Sequence, residues 1–181
     1  MREFVLKLAR QAIENHVKTG KRIDVPTDFP EELKEKRGVF VTLYKKGMLR
    51  GCIGLPYPQK PLIEGLIEAS CLACEDPRFE PLEENELKDI KIEVSVLTKP
   101  VMIEDFQKNY TEEIELGKHG LIIRNGIMGG LFLPKVPIEQ GWNLEEYLEN
   151  LCYKAGLTAD SWLDPVSKIY KFEANAFSEP V

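Results

Sequence analysis

The chain has 181 residues, 43% of them hydrophobic, 30% charged and 9% aromatic, and a formal net charge of −6. That composition excludes a disordered, collagenous or membrane-spanning chain, and the length allows one domain, or one with a small appended lobe, but not two full-sized domains. Scaling with mass lets roughly 70% of the extended surface be buried, so one hydrophobic core is expected without disulfide or metal staples. The negative charge argues against general nucleic-acid binding, which needs an electropositive footprint.

Residues 1–20 carry Arg2, Glu3, Lys7, Arg10 and Glu14 among their apolar positions, so they form neither a secretory leader nor a membrane span, and a cytoplasmic location is predicted. Cys52, Cys71, Cys74 and Cys152 are then expected as reduced thiols. Val5, Leu8, Ala9, Ala12, Ile13 and His16 share one stripe of a helix that Gly20 ends, with His16 read as a satisfied core residue. Residues 21–38 read as a loop holding one short charged helix, and residues 39–44 and 48–55 as the arms of a hairpin. Pro61 opens a second apolar helix that stops before Pro77.

Residues 91–98 alternate, with Ile92, Val94 and Val96 on one face and Glu93, Ser95 and Leu97 on the other, as in a strand with one core face. Residues 121–124 and 130–133 predict two more strands joined through an Asn125-Gly126 turn. Asn143 is an N-cap for a helix striped by Leu144, Tyr147, Leu148, Leu151 and Cys152 and stopped at Gly156. Residues 169–176 alternate as a last strand. Hairpins separated by helices at irregular spacing predict an α+β fold with a mainly antiparallel sheet flanked by helices.

Chemistry concentrates in Leu49-Arg50-Gly51-Cys52-Ile53-Gly54. Strand alternation puts Arg50 and Cys52 on one face, about 7 Å apart along the backbone, where a guanidinium would favour the nucleophilic thiolate. Gly51 and Gly54 weaken a strand unless a ligand or another segment approaches closely. The plainer account makes Cys52 a small buried hydrophobe and Arg50 a solvated charge. A second cluster, Gly117-Lys118-His119-Gly120, places a histidine in a glycine-bracketed loop, as binding residues often are.

Cys52 and His119 could serve as nucleophile and base if the fold brings them together. In Asp76-Pro77-Arg78-Phe79, Arg78 is either an anion-binding fork or half of a salt bridge that ends a helix. Glu93 could orient His119 or accept a proton. Cys71 and Cys74 form a Cys-x-x-Cys late in a helix, where no N-terminal dipole favours a thiolate, and no second ligand pair stands at zinc-site spacing. No metal or cofactor is predicted, and no phosphate loop or dinucleotide fingerprint is present.

The hexapeptide Leu49 to Gly54 resembles the hallmark of the AMME chromosomal region gene 1 protein family. The resemblance extends through Arg78-Phe79 with Pro81-Leu82, residues 92–98, Gly117-Lys118-His119-Gly120, residues 131–134, Lys154-Ala155-Gly156-Leu157 and Trp162. It implies a single α+β domain over residues 1–181 in two unequal lobes, the hexapeptide lying near a cleft between the larger and the smaller. It implies Arg50, Gly51, Cys52, Gly54, Glu93 and His119, with Arg78, as site residues, and no established reaction. Roles in transcription, replication, repair or translation have been suggested for the family, and some members are fused to or encoded with Memo-like and radical-SAM proteins.

These readings leave a cleft enzyme and a non-catalytic module. The enzyme would act on a small or anionic substrate, with Cys52 reactive, His119 as acid or base, Glu93 as orienter, and Arg50, Gly51, Gly54 and Arg78 binding ligand. The module would use the same residues to recognise a peptide, nucleotide or protein partner.

Overall fold

The structure, a computed structural model, describes residues 1–180. It comprises two compact units, one of Met1–Leu97 with the residues from Asn175 onward and one of Thr98–Ala174. In the first unit are α1 (Arg2–Thr19), β1 (Val39–Lys45), β2 (Met48–Leu55), α2 (Leu62–Ala73) and β3 (Ile90–Leu97). The second contains β4 (Val101–Met102), α3 (Phe106–Glu113), β5 (Gly120–Asn125), β6 (Met128–Phe132), α4 (Val136–Gln140), α5 (Leu144–Lys154) and β7 (Lys168–Phe172). The chain then returns through β8 (Ala174–Ser178) to the first sheet, whose order is β2-β1-β3-β8. The second sheet has the order β4-β7-β5-β6. The fold is α+β, and the strand registers within β1–β3 and within β4–β7 are antiparallel.

The expected single core is instead two clusters. In the first, Val41, Leu43, Ile92 and Val94 meet Leu8 and Ile13 of α1 and Ile63 and Leu66 of α2. In the second, Leu121, Ile123 and Ile169 meet Leu148 and Leu151 of α5. A sheet with one apolar face needs only its own helical layer to bury it, so each sheet collects its own core.

Local signals act as anticipated at several ends. Gly20 takes φ +70° and donates its N–H to His16 O at 2.7 Å, closing α1 with a left-handed cap. Lys46 and Gly47, at φ 51° and 78°, make the tight β1–β2 turn, the positive angles matching the twist of a hairpin. Asn143 accepts from the Glu146 amide while Glu146 reaches back to the Asn143 amide, a reciprocal capping box on α5.

Three expectations are corrected. Residues 169–176 are two strands in two sheets, divided at Glu173, whose N–H donates to Thr98 Oγ1 and whose carbonyl accepts from the Thr98 amide. Asn125 is the last residue of β5, and the turn falls on Gly126, at φ 60°, and Ile127. His16 is a rim residue: its Nε2 lies 2.8 Å from Glu75 Oε1, and its buried Nδ1 has no partner. The short elements β4, α3 and α4 carry too little periodicity to be read from the sequence.

Replacing Asn143 with Ala removes one half of the capping box and should lower stability to urea by about 1 kcal/mol with an unchanged m-value.

Candidate functional site

The β1–β2 pairing contains a bulge. Thr42 opposes Cys52 and Leu43 opposes Gly51, but Tyr44 opposes Leu49, which leaves Arg50 as the extra residue. Simple alternation therefore fails at Arg50, and the arginine is not held beside Cys52 as an activating charge. Its Nε and Nη2 grip Glu86 at 3.0 and 2.8 Å, and its Nη1 donates to Glu80 O at 3.0 Å. Lys45 and the Glu83 amide also donate to Glu86. The Arg50 fork in particular, with that amide and Lys45, outweighs burial and holds the Glu86 carboxyl down at about 2.

Arg78 is the guanidinium at Cys52. Its Nη2 donates to Cys52 O at 3.2 Å and to Asp76 Oδ2 at 2.6 Å, and its Nε donates to Asp76 Oδ1 at 3.0 Å. Asp76 Oδ2 also accepts the Cys52 N–H at 2.8 Å, although the Asp76 side chain is only 1% exposed. The Arg78 fork, together with those amides, holds the Asp76 carboxyl far below the usual carboxylate range despite burial. The salt-bridge reading of this segment holds, while the Arg78 side chain remains 58% exposed. One backbone edge of β2 is thus capped by side chains rather than by a strand.

The hexapeptide glycines have packing reasons. A Cβ on Gly51 would stand 2.3 Å from Ala73 O at the end of α2, and one on Gly54 would stand 2.2 Å from the Phe40 ring. These are the close approaches that excuse glycine in a strand.

Register brings together two predicted residues from distant parts of the chain. Cys52 opposes Thr42 and Thr42 opposes Glu93, so the three side chains form a row across β2, β1 and β3. The row lies on the sheet face opposite the α1 and α2 core, because the flanking Val41, Leu43, Ile92 and Val94 point into that core. Cys52 Sγ is 3.2 Å from Thr42 Oγ1, and Ser178 Oγ donates to Glu93 Oε2 at 3.0 Å. Thr42 is 3% exposed, whereas Cys52 and Glu93 are half-buried. Sequence reasoning missed Thr42. Its signal was a lone hydroxyl between Val41 and Leu43.

His119 belongs to the second unit and Cys52 and Glu93 to the first. Its Nδ1 accepts the Glu115 N–H at 3.0 Å, which assigns the proton to Nε2, 3.8 Å from Glu173 Oε1. Burial, reinforced by Lys171 and Lys118 and opposed by Glu173 and Glu115, lowers its proton affinity. Within their own units, Glu93 accepts from Ser178 and the His119 ring accepts from the Glu115 amide.

Cys71 and Cys74 are buried and free, and burial pushes the Cys74 thiol up to about 12, the opposite of a redox-active thiolate. Among the described residues, no cluster of three or more His, Cys, Asp and Glu side chains is arranged to hold a metal ion. None of their helices is long and apolar enough to cross a membrane.

The AMMECR1 family model matches residues 6–177, which takes in both units. The chain belongs to the AMMECR1 family. A relative from Thermococcus onnurineus is 51% identical over 98% of this chain and 89% of its own. Protein MK0488 of Methanopyrus kandleri is 50% identical over 98% and 87%. The crystal structure of the uncharacterised protein PH0010 from Pyrococcus horikoshii superposes with a TM-score of 0.88 at 48% identity, over 98% of this chain and 91% of that one. The family is uncharacterised as to activity, so residue chemistry has to carry the functional argument.

Two outcomes follow for the AMMECR1 hexapeptide. Gly51→Ala should destabilise the protein by about 1–3 kcal/mol, read by urea unfolding, since backbone must move to admit the methyl. Because the Glu86 carboxyl is depressed from 4.5 to about 2, its contribution is complete above the unfolded value and is lost as pH falls towards the folded one. Glu86→Gln should therefore lower stability at neutral pH and flatten the loss of stability between those two values in acid titrations of the urea midpoint.

Proposed function

We propose that the first unit carries a thiol-centred catalytic site in which Cys52 is the nucleophile, Thr42 a proton relay and Glu93 the terminal base. The observation that supports this reading is the Cys52–Thr42–Glu93 row, with thiol and hydroxyl already 3.2 Å apart. Directly opposed side chains in a sheet have Cβ atoms about 4.5–5.5 Å apart, within reach of a hydroxyl–carboxylate contact or a single bridging water. In the step, the Cys52 proton passes to Thr42 Oγ1 as the hydroxyl proton passes to Glu93, and the thiolate displaces a leaving group from a saturated carbon of the substrate, the C–S bond forming as the leaving group departs with its bonding electron pair. Arg78, cationic and exposed at the Cys52 carbonyl, favours a substrate carrying an anionic group.

The Cys52 amide is consumed by Asp76, so it is not an oxyanion donor. That favours displacement at a saturated carbon, which develops no oxyanion, over acyl transfer. The relay is built within the first unit and does not use His119, which belongs to the second. Arg50 acts through Glu86 as a positioning residue for the bulge.

Iodoacetamide labelling tests the relay without a known substrate, because Cys71, Cys74 and Cys152 are buried and Cys52 can be followed by mass spectrometry. Wild-type Cys52 should label faster at pH 7 than an unfolded-peptide thiol, and Thr42→Val should slow it by about tenfold as proton transfer from the thiol loses its acceptor. Glu93→Gln should also slow it. By charge alone the carboxylate disfavours a thiolate, so faster labelling in Glu93→Gln would overturn the base role. Peptide-like rates in all three proteins would leave Cys52 as a contact in a binding module.

A further inference from the structure

On the helical side of the first unit, the chain leaving β2 loops back over α2 and encloses a pocket of about 260 Å³. Its lining includes Arg37, Tyr57, Gln59, Lys60, Gly65 and Glu68, none of which belongs to the Cys52 row. We propose that this pocket is a second binding site, for a compact organic monoanion.

Gly65 is the first argument. It is a buried residue inside the α2 helix, where glycine disfavours the helix relative to alanine. The other glycines of this unit have a reason of their own: a Cβ at Gly38, Gly51 or Gly54 would collide, and Gly20 and Gly47 take positive φ. A Cβ at Gly65 would instead sit 3.4 Å from Val39 Cγ1 and 3.9 Å from Lys60 Cγ, at ordinary packing distance. The protein's own packing would accept the methyl. Gly65 lines the pocket, so the methyl would narrow it.

Charge is the second. Lys60 pairs with Glu68, whose other oxygen lies 3.6 Å from Arg22. Arg37 places Nε and Nη2 on Glu35 Oε2, and its Nη1 has no acceptor among the described residues. The lining itself carries two cations, Arg37 and Lys60, to one carboxylate, Glu68, and the open Arg37 Nη1 is the donor an anion would meet. The Lys60 and Arg22 contacts lower the proton affinity of Glu68, so the acid stays charged and the balance holds through the neutral range. Tyr57 and Leu55 add an aromatic and an aliphatic wall, and the exposed Gln59 amide adds a polar one. At 260 Å³ the space lies just under the range of about 300–1,000 Å³ common for drug-sized ligands, which suits a single ring bearing one carboxylate rather than a nucleotide or a peptide.

Benzoate is the probe, with benzamide as its neutral counterpart and inorganic phosphate as the non-organic anion, each titrated into the full chain and followed by amide NMR. Benzoate should shift the Gln59, Lys60 and Gly65 resonances while benzamide and phosphate bind at least about tenfold more weakly, the value of one charge-assisted contact. Arg37→Gln should weaken benzoate by a similar factor. Gly65→Ala should raise Tm by about 1–4 °C as helix propensity improves, and yet weaken benzoate. A lowered Tm would show that packing requires the glycine and would overturn the proposal. So would unchanged benzoate binding in Gly65→Ala, equal binding of benzamide or phosphate, or no shift at these residues. None of these readouts depends on Cys52, so the pocket and the thiol site stand or fall separately.

Discussion

A carboxylate with 1% of its side chain exposed is tolerable only when its charge is met, and Asp76 meets it on two sides. Arg78 supplies the countercharge and the Cys52 amide a further donor. Because that amide belongs to β2, the sheet's outer strand, the buried acid fastens the strand to the chain leaving α2. Gly51 allows the approach, since a side chain there would meet Ala73 O. Loss of either partner would leave a buried charge uncompensated, which costs far more than an exposed salt bridge contributes.

The bulge at Arg50 is the counterpart of this anchor. An extra residue bends and twists an edge strand, and the bend persists only if something holds the side chain it displaces. Glu86 does so with a two-pronged contact, reinforced by the carbonyl of Glu80. The arginine of the hexapeptide therefore works as a brace. The cation at the Cys52 carbonyl is Arg78, held there by Asp76 from 26 residues away. Together the two anchors set where Cys52 stands in the strand, and so which residue it faces.

Some site residues could not be read from local pattern because their meaning is long-range. Thr42 is one polar residue in an apolar strand until register sets Cys52 on one side and Glu93 on the other. Alternation showed that Glu93 and Ser95 leave the core face, but not which strands lie beside them. The reading that failed, Arg50 with Cys52 on one face, failed because a single inserted residue shifts the phase of everything before it. The break at Glu173 was hidden for a similar reason. Alternation continues through residues 169–176, and only the pairing with Thr98 assigns the halves to different sheets.

The sequence by itself determined the local elements whose signals are short-range: the stripe and glycine stop of α1, the β1–β2 hairpin, the capping box of α5 and the single core face of β3. These follow from side-chain periodicity and backbone preference, which need no knowledge of distant residues. Motif resemblance added the family. Only the tertiary structure decided that there are two cores, that Arg50 is a brace, and that Cys52, Thr42 and Glu93 share a row. Strand register, the bulge and buried ion pairs are contacts between residues far apart in the chain. Their energies depend on burial and partner geometry, and neither quantity is written in any local stretch of sequence.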